Sequence, residues 1–270
     1  MKRLPITAIA AVCLLADSVV CPAQNVLPSS APSLANAATA KPWTNSLGMR
    51  FVPVPGTKLL FSIWETRVKD YAVYAAARSS VDESWRHPGF TQQETHPVVS
   101  VTWDEAREFC RWLTQKERAA GWLATNQTYR LPTDAEWSWA VGIGGQEPDG
   151  SSKDKDERVQ AVYPWGTQAQ PPKGAGNYDP SLDVDSYDYT APVGSFAANL
   201  CGLYDLGGNV WEWCEDTYSS KNPSRVLRGA SWKIEVYGAL KSSRRGIAVP
   251  SYRFYTIGFR VVLGTESSSR

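Results

Sequence analysis

The sequence predicts an α+β domain poor in regular structure, with two or three helices, many short strands and long loops. Three observations carry this. Helical periodicity behind a capping signature occurs at only a few places. Short apolar sets bounded by Gly, Pro, Asn or Asp recur along the rest of the chain. Long polar stretches, notably 78–93, 144–158 and 166–195, separate them without any period. Loops of that length need more than regular hydrogen bonding to hold them, and bound calcium is a common solution.

The 270 residues, 43% of them hydrophobic, suffice for one large domain or two small ones. A net charge of +1 with no basic run argues against a nucleic-acid partner. Twelve tryptophans supply large buried area with a polar handle, which suits irregular cores and binding clefts.

Residues 1–23 read as a secretory signal. Lys2 and Arg3 form the charged start, Leu4 to Leu15 is an apolar run too short to span a membrane, and Cys21-Pro22-Ala23 offers a cleavage end. Ser18-Val19-Val20 makes a poor lipoprotein box. No later segment is long and apolar enough to span. The mature protein is therefore expected to be exported (periplasmic or extracellular) and not membrane-spanning. Cys110, Cys201 and Cys214 remain, so one intrachain disulfide at most is expected, with its pairing open.

Residues 24–41, rich in Ala, Ser, Pro and Asn, read as a disordered leader, 42–265 as the folded domain and 266–270 as a tail. Phe51, Val52 and Val54, then Leu59, Leu60 and Phe61, are strand-like around the turn Pro53-Val54-Pro55-Gly56. Thr66 is a candidate cap for a helix carrying Val68, Tyr71 and Tyr74. His96 to Val101 reads as a short strand. Thr102-Trp103-Asp104-Glu105 is a capping box opening a helix with Trp103, Ala106, Cys110 and Leu113 on one face. Cys110 there is a small buried hydrophobe. Tyr129 to Pro132 is extended, and a second capping box, Thr133 to Glu136, opens a helix with Trp137 and Ala140. Gly144 to Arg158 reads as an inserted loop, Tyr163-Pro164-Trp165-Gly166 as an aromatic turn, and Asn177 to Asp188 as acidic and turn-rich. Val226 to Gly229 and Phe259 to Val262 are strand-like.

The densest chemistry lies in Gly202 to Asp216. Gly207-Gly208-Asn209 can adopt angles most residues cannot, and Val210-Trp211-Glu212-Trp213 then alternates as a strand. Two readings stand. One is a glycine turn entering a core strand. The other is a hard-cation site that mixes carboxylates with irregular carbonyls.

Several motifs recur in a fixed order: Asn45-Ser46-Leu47-Gly48-Met49, His96-Pro97-Val98, Arg130-Leu131-Pro132-Thr133-Asp134-Ala135-Glu136-Trp137, Tyr163-Pro164-Trp165-Gly166, Gly208 to Trp213, Arg228-Gly229-Ala230-Ser231-Trp232 and Gly258-Phe259-Arg260. Together, from about Asn45 to Leu263, the chain resembles the formylglycine-generating enzyme (sulfatase-modifying factor) family. The resemblance implies the family's variant of the C-type-lectin-like fold and two structural calcium ions. One would be held by Asn177, the Tyr178 carbonyl, Asp185 and the Tyr187 carbonyl. The other would be held by Asp205, the Gly208 and Val210 carbonyls, and Glu212. All are oxygen donors, as calcium requires.

The resemblance breaks at one place. Enzymes of this family oxidise a substrate cysteine using copper on two cysteine thiolates, the soft donors Cu(I) needs. Here Ile234 and Ala239 stand at those positions, and no cysteine follows Cys214. A family branch that uses iron on three histidines has no match either, with only His87 and His96 present. Neither copper nor iron is expected. His96 reads as a structural hydrogen-bonding side chain and His87 as exposed.

The expectation is a non-catalytic module binding an extracytoplasmic protein, peptide or glycan. Its groove candidates are Ser231, Trp232, Glu235, Tyr237, Arg244, Arg245, Tyr252 and Tyr255. The alternative is an oxidoreductase of the formylglycine-generating type, or another metal-dependent chemistry, on the same scaffold.

Overall fold

The computed structural model describes residues 37–265. The stretches read above as signal and tail, and the expected leader up to residue 36, lie outside the described residues. Among the described residues nine strands form two sheets. Arg50–Pro53 (β2) and Leu60–Ser62 (β3) make the hairpin expected around Pro53 to Gly56, with Trp43–Thr44 (β1) on its outer edge. The C-terminal strand Val262–Thr265 (β9) inserts between β3 and Gln127–Arg130 (β4), giving the order β1-β2-β3-β9-β4. The second sheet is built on a long hairpin, Trp211–Ser219 (β5) and Asn222–Arg228 (β6). Gly246–Ala248 (β7) flanks β6 antiparallel, and Ile257–Gly258 (β8) flanks β5 parallel.

The two capping boxes form as read. The Glu105 amide donates to Thr102 Oγ1 at 3.2 Å and the Thr102 amide to Glu105 Oε2 at 2.8 Å, opening Trp103–Ala119 (α2). Thr133 and Glu136 reciprocate in the same way at Asp134–Val141 (α3). Helix α2 buries Trp103, Ala106, Cys110 and Leu113. Its buried Glu117 accepts bonds from Ser46 and the Tyr129 hydroxyl, which pins the helix to the N-terminal turn and to β4.

Three local expectations need correction. The cap of Val68–Ala76 (α1) is Arg67, one residue past Thr66, because Asp70 accepts from both the Arg67 amide and its guanidinium. His96 to Val101 forms no regular strand: it makes an isolated bridge, Arg67 to Pro97, and Ser100 turns the backbone left-handed at φ 58°. The 144–158 insertion is not structureless. It holds a 3-10 turn and a one-turn helix, Ser152–Lys155 (α4), capped by Ser151.

Two apolar cores meet at β5, with Trp213 in one and Cys214 in the other. A third, around Tyr163, Tyr178, Val184, Ala230 and Leu240, backs the turn that enters β5. Among the described residues no helix is long and apolar enough to cross a membrane.

Candidate cation centre and aromatic face

The Gly202–Val210 turn reaches β5 through left-handed backbone. Asp205 has φ 57°, Gly208 φ 85° and Asn209 φ 60°, conformations that Gly, Asn and Asp tolerate best. Gly208 is also required sterically, because a Cβ there would lie 2.3 Å from the Asn177 carbonyl oxygen. That close approach sets the two sequence-assigned oxygen clusters side by side.

In the first cluster Asn177 is fully buried. Its Nδ2 donates to the Tyr189 carbonyl at 2.7 Å and to Asn209 Oδ1 at 3.1 Å. Its Oδ1 is buried without a partner. Asp185 accepts from the Tyr178 and Tyr187 amides at 3.0 and 2.8 Å, so it closes the loop whose carbonyls were assigned to a cation.

In the second cluster Asp205 is 6% exposed. Its Oδ2 accepts from the Gly194 amide at 2.7 Å and its Oδ1 is unpartnered. Burial pushes its carboxyl up to about 6, with Glu212 adding to the rise while the Gly194 bond and Arg260 oppose it. Glu212 is fully buried and already engaged, in a bidentate pair with Arg260 at 2.6 and 2.7 Å and in a bond from Trp137 Nε1 at 2.9 Å. The sequence reading missed Glu65. It is fully buried, accepts from Asn209 Nδ2 at 2.8 Å, and is pushed well above the usual carboxylate range by burial, then by the charges of Asp205 and Glu212. The available signal was a lone acid leaving the apolar run Phe61-Ser62-Ile63-Trp64.

The arrangement fits a divalent oxygen-loving cation on two counts. Three buried carboxylates face one guanidinium, a charge imbalance that burial makes costly unless a cation offsets it. The unpaired oxygens Asn177 Oδ1 and Asp205 Oδ1 are one assigned ligand from each set, and buried polar atoms are seldom left unpaired. Among the described residues no three His, Cys, Asp or Glu side chains group so as to hold an ion by themselves, so a cation here would draw on carbonyl and amide oxygens as well.

The groove candidates separate. Trp232 and Tyr255 come together at 5.8 Å between centroids, and the structure adds Phe90 and Tyr189, which sequence reading missed. Phe90 stacks on Tyr189 at 4.6 Å, and Trp232 meets them edge-on at 5.8 and 5.2 Å. Tyr189 is 47% exposed, while Trp232 is 6% exposed and its Nε1 is unpartnered. Lys233 Nζ donates to the Tyr255 hydroxyl at 2.7 Å, and Tyr252 joins the group through Phe254. Glu235 and Tyr237 lie exposed nearby in sequence, and Ser231 is buried beneath the loop.

Arg244 and Arg245 are not part of this face. Arg244 pairs with Asp156 and Glu157 of the insertion. Arg245 is buried and binds Asp134 at the start of α3 and Glu147 of the insertion, which together supply its countercharges. Ile234 packs on the third core, in the company of Tyr178 and Leu240, and Ala239 is half-buried. Cys110 and Cys214 are buried with their thiols pushed up by desolvation, and Cys110, Cys201 and Cys214 are all unpaired. His96 binds Thr190 at 3.0 Å, and His87 is exposed.

A family model described as "Sulfatase-modifying factor enzyme 1-like domain" matches residues 33–265. The chain is 36% identical over 203 residues to the "Inactive C-alpha-formylglycine-generating enzyme 2" of Bos taurus, covering 67% of this chain and 56% of that protein. It is 35% identical over 149 residues to the "Formylglycine-generating enzyme" of Thermomonospora curvata, covering 50% of this chain and 40% of that one. The matches thus span about half the length of these relatives. The solved structure of PvdO from Pseudomonas aeruginosa superposes with a TM-score of 0.55 at 25% identity, covering 76% of this chain and 80% of that one. On a family match that covers the whole described region, the chain belongs to the sulfatase-modifying factor enzyme 1-like domain family.

Proposed function

We propose that this protein is an exported, calcium-stabilised recognition module that does not generate formylglycine. The observation that carries the reading is the chemistry at the family's copper position. Ile234 and Ala239 offer no donor atom, and Ile234 is packed into an apolar core. A similar relative bears the word "inactive" in its name, which supports the same direction. Calcium at the first cluster would be held by Asn177 Oδ1, the Tyr178 and Tyr187 carbonyls and Asp185. At the second it would be held by Asp205, the Gly208 and Val210 carbonyls and Glu212. It would supply the charge balance these buried oxygens otherwise lack.

The ligand favoured here is an extended polypeptide docking on the face formed by Phe90, Tyr189, Trp232 and Tyr255. The half-exposed ring of Tyr189, stacked on Phe90 and backed by the buried Trp232, supplies apolar area for such a ligand. The test is selection of random-peptide display libraries on the full chain, with Tyr189→Ala as the counter-surface and a glycan array in parallel. Enrichment of a peptide motif that Tyr189→Ala loses is the expected result. Glycan binding without peptide enrichment, or equal binding by Tyr189→Ala, would overturn the choice of ligand and face.

A further inference from the structure

We propose that Asn209 couples the two cation sites so that they fill cooperatively, and that it passes their filling on to the Tyr189–Trp232 face. The proposal rests on the calcium reading above and adds a regulation to it.

Asn209 is 1% exposed and uses nearly every polar atom it has. Its backbone amide donates to the Asn177 carbonyl at 2.8 Å, and its Oδ1 accepts from Asn177 Nδ2 at 3.1 Å. Both bonds reach the first site. By sequence it lies between Gly208 and Val210, whose carbonyls belong to the second. Its Nδ2 donates to Glu65 Oε2 at 2.8 Å, and Glu65 Oε1 accepts from the amide of Val210 at 3.4 Å, whose carbonyl belongs to the second site. Its Oδ1 also accepts from the Ala191 amide at 2.9 Å. Its carbonyl accepts from the Trp232 amide at 2.9 Å.

The orientation of Asn177 closes the link. Its Nδ2 is fixed by two acceptors, Asn209 Oδ1 and the Tyr189 carbonyl, so its Oδ1 is left free as the ligand atom. A cation that draws on this Oδ1 holds the amide plane, and with it Asn209 and the left-handed turn that aims the Gly208 and Val210 carbonyls. A cation on those carbonyls fixes Asn209 and pre-orients Asn177 in return. Such coupling is reciprocal by thermodynamic necessity. Tyr189 and Trp232, whose rings lie 5.2 Å apart, hang from this relay by the Tyr189 carbonyl and the Trp232 amide. Filling both sites therefore orders the two backbone anchors of the proposed docking face.

The test titrates calcium into the chelator-stripped full chain by calorimetry, comparing wild type with Asp185→Asn, a lesion in the first site, and Asp205→Asn, a lesion in the second. Asp185→Asn is expected to weaken the remaining site by roughly tenfold, and Asp205→Asn to weaken the other by the same factor, within the usual range of coupling between linked sites. Asn209→Gly keeps the left-handed backbone while deleting the relay amide. It is expected to let the two sites titrate independently. Hydrogen exchange followed by mass spectrometry should show calcium-dependent protection of the segment 229–236 in wild type and its loss in Asn209→Gly. If Asn209→Gly fails to fold, the reciprocal pair Asp185→Asn and Asp205→Asn still decides the matter. Site affinities unchanged within about twofold in both ligand variants would overturn the coupling and leave the calcium reading standing. Calcium-insensitive exchange at 229–236 in wild type would overturn the link to the face. Absence of any calcium binding by wild type would overturn the calcium reading, and the coupling with it.

Discussion

Replacing Asp205 by Asn should have opposite effects on stability with and without calcium. Asp205 is buried, and one of its oxygens has no partner. Burial moves its carboxyl from 3.8 to about 6. A folded-state value above the unfolded one means that the group's contribution in the cation-free protein is intact below about pH 4 and is lost as pH rises through about 6. Two pH units at ~1.4 kcal/mol each put the cost of the ionised group near 3 kcal/mol at pH 7.5. Asparagine keeps an acceptor for the Gly194 amide and carries no charge. In chelator at pH 7.5 the variant should therefore melt higher than wild type, by about 6–12 °C at ~2–4 °C per kcal/mol for a domain of this size. That gap should shrink as pH falls toward 4. With calcium at about a thousand times its dissociation constant, wild type gains ~4 kcal/mol that the variant largely forfeits, and the order reverses. Differential scanning calorimetry of both proteins, with and without chelator, at pH 5 and 7.5, reads all four states. A variant that melts below wild type in chelator would show that Asp205 is not an uncompensated buried charge, and the cation argument at this cluster would fail.

Two other outcomes follow from the packing. Asp134 is buried against Arg228 and Arg245, and although burial works to raise its carboxyl, the two guanidinium groups hold it below the usual range. Asp134→Asn leaves two buried cations undercompensated and should cost about 3–5 kcal/mol by denaturant titration; a loss below about 1 kcal/mol would refute the role given to this cluster. Among Cys110, Cys201 and Cys214, only Cys201 is partly exposed. Site-resolved alkylation of the native protein at alkaline pH should label Cys201 first, with Cys110 and Cys214 reacting only on unfolding. Early labelling of either buried thiol would contradict the core packing.

What was legible in the sequence was mostly short-range. Thr102 with Glu105 and Thr133 with Glu136 each satisfy their helix within four residues, so residue identity and spacing sufficed. The absence of thiolates at Ile234 and Ala239 is likewise a matter of identity. The helix at Val68 is legible but its cap is not, because Arg67 and Asp70 close its first turn by a side-chain pair that no cap preference describes. Residues that meet across the chain stayed hidden. Glu65 bonds Asn209 over 144 positions, and Arg245 bonds Asp134 over 111. An exposed loop arginine and a fully buried one look alike until the countercharge is placed. Phe90 and Tyr189 sat in stretches without period, where nothing local marks a ring as half of a stacked pair.

The function proposed above keeps the family scaffold without copper chemistry. It is tested most directly by incubating the purified chain, loaded with calcium, with Cu(I), oxygen, a thiol reductant and a cysteine-containing peptide, and following aldehyde in the peptide by mass spectrometry. The account predicts that no aldehyde forms and no stoichiometric Cu(I) is retained. Catalytic conversion of the cysteine to formylglycine would contradict it.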